Sequence, residues 1–153
     1  MPSSDAVAVT RGRRMGIDVG AVRVGVALSD PDGVLATPLR TVPRDVAHGT
    51  DLATIAALVA EHDVVGIVVG LPRTLAGREG PAAEAARAFA TALSGHLEAA
   101  HVAVPLEFTD ERLTTVVATR QMRESGRKGR RQRAVVDQVA AVAILQGWLD
   151  ARR

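Results

Sequence analysis

The stretch RRMGIDVGAVRVGVALSD, residues 13 to 30, places one carboxylate, Asp18, inside an otherwise apolar strand pattern. A carboxylate taken out of water must pair with a cation, accept a proton or bind a metal. Two further acidic sites stand at comparable places. FTDERLTT puts Asp110 and Glu111 at the C-terminal end of a strand-like segment, the end at which open α/β sheets gather their ligands. Asp137 heads the stripe Ala140, Ala141, Ile144 and Trp148 of the last helical segment, on the side that should meet a sheet. Each acid also has an ordinary role open to it: an ion pair with Arg23 or Arg112 for Asp18, and a first-turn contact with a helix dipole for the others. Acids from three elements that converge at one sheet end would repel one another unless a cation held them. Hard oxygen donors and the absence of cysteine point to Mg²⁺ or Mn²⁺. Two such ions about 4 Å apart activate water and stabilise a leaving oxygen in phosphodiester hydrolysis.

The charge distribution points to the same kind of substrate. Net charge is only +2, but residues 120 to 133, RQMRESGRKGRRQR, hold seven Arg or Lys against Glu124. Arg127, Lys128, Arg130, Arg131 and Arg133 directly precede Asp137 and suit a phosphate backbone. Arg112 would neutralise phosphate or brace the acids. Aromatic residues make up 2% of the chain, too few for a base-stacking platform, so recognition should run through backbone and shape, which serves DNA and RNA alike. VVGLPRTLAGREGPA passes from a strand through a glycine-containing loop into a helix whose first amides are suited to a phosphate, although it matches no P-loop pattern. The histidines at 48, 62, 96 and 101 are scattered and have no metal-ligand spacing.

These groups need a frame. At 153 residues the chain fits one domain, and an apolar content of 47% supports a core of Val, Leu, Ile and Ala. Residues 1–13 read as a flexible tail and 14–153 as the folded domain. The tail has neither a signal-peptide pattern nor a run long enough to span a membrane, so a cytoplasmic protein is expected. Two strands flank the short turn GAV. A third, GVLATPLRTV, carries Pro38, which should keep part of it near an edge or a bulge. TDLATIAALVAE has helical spacing, with Thr50 or Asp51 to cap it. DVVGIVVGLP is apolar almost throughout, as in a strand buried on both faces. A helix beginning at Pro81, a strand VAVPLEFTDE, a helix from Thr114 or Thr115 to about Ser125, and a last helix starting near Arg133 or Ala134 complete the order. Early strands joined by short turns should pair antiparallel and later ones, separated by helices, parallel. An α/β fold follows: a mixed five-stranded sheet with helices on both faces.

GIDVGAVRVGVALSD, VVGLPRTLAGREG, DERLTT and DQVAAVAILQGWLD, in this order over roughly residues 15 to 150, resemble the YqgF/RuvX family of RNase H-like nucleases. The resemblance implies an RNase H-like fold and a Mg²⁺-dependent endonuclease. It also implies a role in 5′-end processing of pre-16S rRNA, in Holliday junction resolution, or in both. By motif it makes Asp18 the first-strand metal ligand and Asp137 the ligand from the last helix, with Asp110 or Glu111 between them; strand alternation leaves both open, and the longer Glu111 reaches farther. The partner implied is branched DNA or precursor rRNA. Paired cuts in a four-way junction would call for a homodimer, for which the sequence shows no surface. Two rivals follow from the same residues. One is a non-catalytic protein that binds structured nucleic acid. The other is a nucleotide-binding module of the actin or Hsp70 kind, which also opens on GIDVG but needs two such domains.

Overall fold

The computed structural model describes residues 11–74, 76–111 and 130–152, with residues 130–137 described by backbone alone. The elements are β1 (Arg14–Val19), β2 (Arg23–Ser29), β3 (Ala36–Pro43), α1 (Thr50–Glu61), β4 (Gly66–Leu71), α2 (Pro81–Ala99), β5 (Leu106–Asp110) and α3 (Arg130–Asp150). The helix expected between Thr114 and Ser125 lies outside the described residues.

The five strands form one sheet in the order β3-β2-β1-β4-β5. β1, β2 and β3 pair antiparallel, while β4 joins β1 and β5 joins β4 in parallel. The short turn at residues 20–22 forces the first antiparallel pair, and each helical connection returns the chain to run parallel. β3, with Pro38 and Pro43, is an edge strand, where a missing N–H costs no ladder bond.

Alternation along the strands divides the side chains between two cores. Met15, Ile17, Val24, Val26, Ile67 and Val69 pack with Ile55, Val59, Phe89 and Leu93, so α1 and α2 cover that face. On the other face Ala27 and Val68 meet Ala140, Ala141, Ile144, Leu145 and Trp148 of α3. The bare surface of β1 and β2 thus receives a helix. At Gly16 a Cβ would stand 2.6 Å from Leu145 Cβ and 2.9 Å from the Ala141 carbonyl oxygen, so glycine is what lets α3 lie this close. The far end of α3 is pinned where Trp148 Nε1 donates to Glu107 Oε1 at 2.6 Å.

Two local expectations are corrected. α3 begins at Arg130 rather than near Arg133 or Ala134, so Arg130, Arg131 and Arg133 belong to its opening turns; arginine is a good helix former and nothing before Ala134 breaks the run. α1 is capped by neither Thr50 nor Asp51. Its N-cap is Gly49 at φ 69°, and the Thr50 amide and hydroxyl donate back to Asp45 at 3.3 and 2.6 Å.

Candidate active site

Asp18 lies near the C-terminal end of β1, on the α3 face, and is fully buried. Its cross-strand partner in β2 is Gly25, and that of Gly25 in β3 is Thr41. On the other side, β1 and β4 are in register through Ile17 and Val69, which brings Gly70 beside Asp18 at the strand spacing of about 4.8 Å. Gly70 in turn pairs with Thr109 of β5. Asp18 is therefore the one charged group in a row of glycines and threonines across the sheet.

Glu111 follows β5 directly and is 1% exposed. A Cβ on Gly70 would come within 2.6 Å of Glu111 Oε1 and 2.4 Å of Ile144 Cδ1. The Glu111 carboxylate thus lies over Gly70, the residue next to Asp18. Asp110, one residue earlier, points the other way. It shares its strand face with Leu106 and Phe108, which pack against the α1 and α2 core, and it is paired with Arg73 at 3.8 Å. The two acids of the DER motif are thus separated by the sheet: Glu111 is brought toward Asp18 and Asp110 is not.

The third predicted acid, Asp137, is in α3, two turns before Ile144, which packs over Gly70. Its side chain lies outside the described residues. The next residue, Gln138, donates from Nε2 to Thr41 Oγ1 at 3.0 Å, which fixes the early turns of α3 above the row that contains Asp18. Among the described residues no group of three His, Asp or Glu comes together as a metal site. Arg112, Arg127 and Lys128 lie outside the described residues, as do the side chains of Arg130, Arg131 and Arg133. The four histidines occupy turns and helix ends, in keeping with the sequence.

Several residues at this end carry signals that the motif reading passed over. Gly70 sat unnoticed inside an apolar run, although strand parity places it beside Asp18. Arg44 ties the β1–β2 turn to α1: its backbone N–H donates to Val22 O at 2.8 Å, and its guanidinium pairs with the buried Asp51 at 3.5 Å. Arg87 of α2 grips Glu79 of the β4–α2 loop through two hydrogen bonds of 2.7 Å. That grip, then the nearby charges of Arg87 and Arg73, hold the Glu79 carboxyl below its ordinary range, and the same grip, then the charge of Glu79, holds the Arg87 guanidinium above its own.

Buried carboxylate oxygens, with neither sulfur nor imidazole beside them among the described residues, are a donor set for a hard divalent cation. Carboxylates gathered on one face out of water repel one another, a cost that a bound cation would offset.

The family model described as "RuvX: Holliday junction resolvase" matches residues 12–151. A Nocardia farcinica protein named "Putative pre-16S rRNA nuclease" is 59% identical over 147 residues, covering 93% of this chain and 79% of that protein. A Rhodococcus erythropolis protein of the same name is 55% identical, covering 93% of this chain and 80% of its own. Among solved structures, the chain resembles Thermus thermophilus RuvC in complex with Holliday junction substrate, with a TM-score of 0.57, 15% identity, and coverage of 92% of this chain and 95% of that one. At that identity the likeness is one of fold.

Proposed function

The chain belongs to the RuvX family of RNase H-like nucleases, and from that premise we propose that it is a divalent-metal-dependent endonuclease acting on structured nucleic acid. The observation that carries the proposal is the placement of two buried carboxylates, Asp18 and Glu111, on one face of the sheet, with Gly70 leaving room for the Glu111 carboxylate beside the strand of Asp18.

Asp18, Glu111 and Asp137 would hold Mg²⁺ or Mn²⁺. The chemistry gained on binding such an ion is neutralisation of charge at the phosphodiester and acidification of water for the attack. The chain's own residues do the rest. The sheet fixes Asp18, since a mid-strand residue has no freedom to follow a shifting ligand. Gly25 and Gly70 keep the floor open, and Ile144 walls it on the α3 side. Arg112, Arg127, Lys128, Arg130, Arg131 and Arg133 would hold the phosphate backbone, as their sequence position before and after the acids suggests. Asp110 takes a supporting role in this assignment, through its pair with Arg73.

For substrate we favour the 5′ region of precursor 16S rRNA, because relatives 55 and 59% identical carry that name. Holliday junction resolution is the second reading, supported by the description of the family and by a fold neighbour solved in complex with such a junction. Side-by-side cleavage of a four-way DNA junction and a pre-16S leader duplex, with Mg²⁺ and with Asp18→Asn as the control, tests both. Cleavage of neither by the folded wild-type protein would leave a binding role without catalysis.

A further inference from the structure

We infer that Arg73 is a binding residue for a backbone phosphate flanking the cut, on the α2 side of the sheet end that carries Glu111. The inference rests on nucleic acid being the ligand, as proposed above, and assigns a side-chain contact within VVGLPRTLAGREGPA, where the sequence pointed only to the helix amides.

Arg73 stands two residues past the end of β4 and three past Gly70, at the same sheet edge as Glu111. Its guanidinium has two carboxylates for neighbours, Glu79 at 3.5 Å and Asp110 at 3.8 Å. Both distances are longer than N–H···O hydrogen bonds. Nε is buried with no partner, and among the described residues Arg73 donates no side-chain hydrogen bond. Glu79 has little to offer it, because both Glu79 oxygens are engaged by Arg87 at 2.7 Å. Arg87 is itself fixed, with its guanidinium 5.0 Å from the centre of the Phe108 ring. Arg73 is thus a cation aimed by surrounding charge but not satisfied by hydrogen bonds among the described residues, its side chain 32% exposed at the mouth of the site.

Guanidinium groups recognise phosphate through paired N–H donors, and an arginine whose terminal donors are unspent is ready for that geometry. Asp110 and Glu111 are consecutive, so Arg73 lies across the tip of β5 from the Glu111 carboxylate. A strand draped over the sheet edge would meet the acids on the α3 side and Arg73 on the α2 side.

The test measures binding apart from cleavage. Full-length protein carrying Asp18→Asn is titrated, in Mg²⁺ and over a range of KCl, with a labelled four-way junction and a labelled pre-16S leader duplex. Adding Arg73→Gln should weaken binding of the preferred probe about tenfold and lower the slope of log affinity against log salt by about 0.7 to 0.9. Arg73→Lys should recover the slope but not the full affinity. An unchanged affinity and slope in Arg73→Gln would overturn the inference, as would weaker binding with an unchanged slope, which marks a structural role. Wild-type protein that binds but cuts neither probe would sink the nuclease reading and leave Arg73 standing.

Discussion

The Oε1 atom of Glu111 lies 2.6 Å from the place where Gly70 would carry a Cβ. A side chain on one and the carboxylate on the other exclude each other. Because Gly70 neighbours Asp18 in the adjoining strand, this exclusion is what lets a second acid come close to the first.

Gly70→Ala is therefore expected to do more than its size suggests. The added methyl also meets Ile144 Cδ1 at 2.4 Å, so Glu111 or α3 must shift. Overpacking of this kind costs about 1–3 kcal/mol. Urea unfolding should show the loss, and cleavage should fall further than the loss of folded protein explains.

The two acids of the DER motif should separate on mutation. Glu111→Gln should reduce cleavage at least 100-fold while the fold is retained, because a buried oxygen donor becomes an amide. Asp110→Asn should cost less than tenfold, since Asp110 faces the other side of the sheet and pairs with Arg73. Initial rates at saturating Mg²⁺, with circular dichroism as the folding control, give the comparison. Equal losses would contradict the assignment of Glu111.

Gly16→Val tests how α3 is seated. The new side chain would collide with Leu145 and with the Ala141 carbonyl, the latter on the helix backbone. We expect a loss of about 3 kcal/mol or more in urea unfolding. A milder Gly16→Ala should lower metal affinity as well as stability, because α3 carries Asp137.

Acid should weaken the start of α1. The Thr50 hydroxyl, followed by the His48 amide, holds the Asp45 carboxyl below its ordinary value. A carboxyl whose folded pKa is depressed stabilises the fold above its unfolded pKa, and that contribution is lost as pH falls through the folded value. Asp45→Asn should thus lower the melting temperature at pH 7. The gap from wild type should close as the pH drops below about 4.

Much of this was legible in the sequence, for identifiable reasons. The antiparallel pairing of the early strands and the parallel pairing of the later ones follow from the connection lengths, and the unbroken apolar run of β4 follows from burial on both faces. Asp18 stood out because a carboxylate inside a strand is costly. The choice between Asp110 and Glu111 was not legible. Alternation gave each a face but did not say which face met Asp18; the register of β5 against β4, with Thr109 opposite Gly70, supplies that. Gly70 itself was hidden because a glycine inside an apolar strand has no signature until its neighbours across the sheet are known. The role of Arg73 was hidden for a similar reason, since its partners Glu79 and Asp110 come from a loop and a separate strand. The start of α3 was misplaced because a run of arginines reads equally as a solvated loop and as a good helix former.

The central claim is that Asp18 and Glu111 share a divalent cation, and calorimetric titration with Mn²⁺ reaches it most directly. The wild-type protein should bind Mn²⁺ and gain thermal stability in proportion to occupancy. Asp18→Asn and Glu111→Gln should each abolish both effects while remaining folded. Undiminished Mn²⁺ affinity in either folded variant would contradict the account.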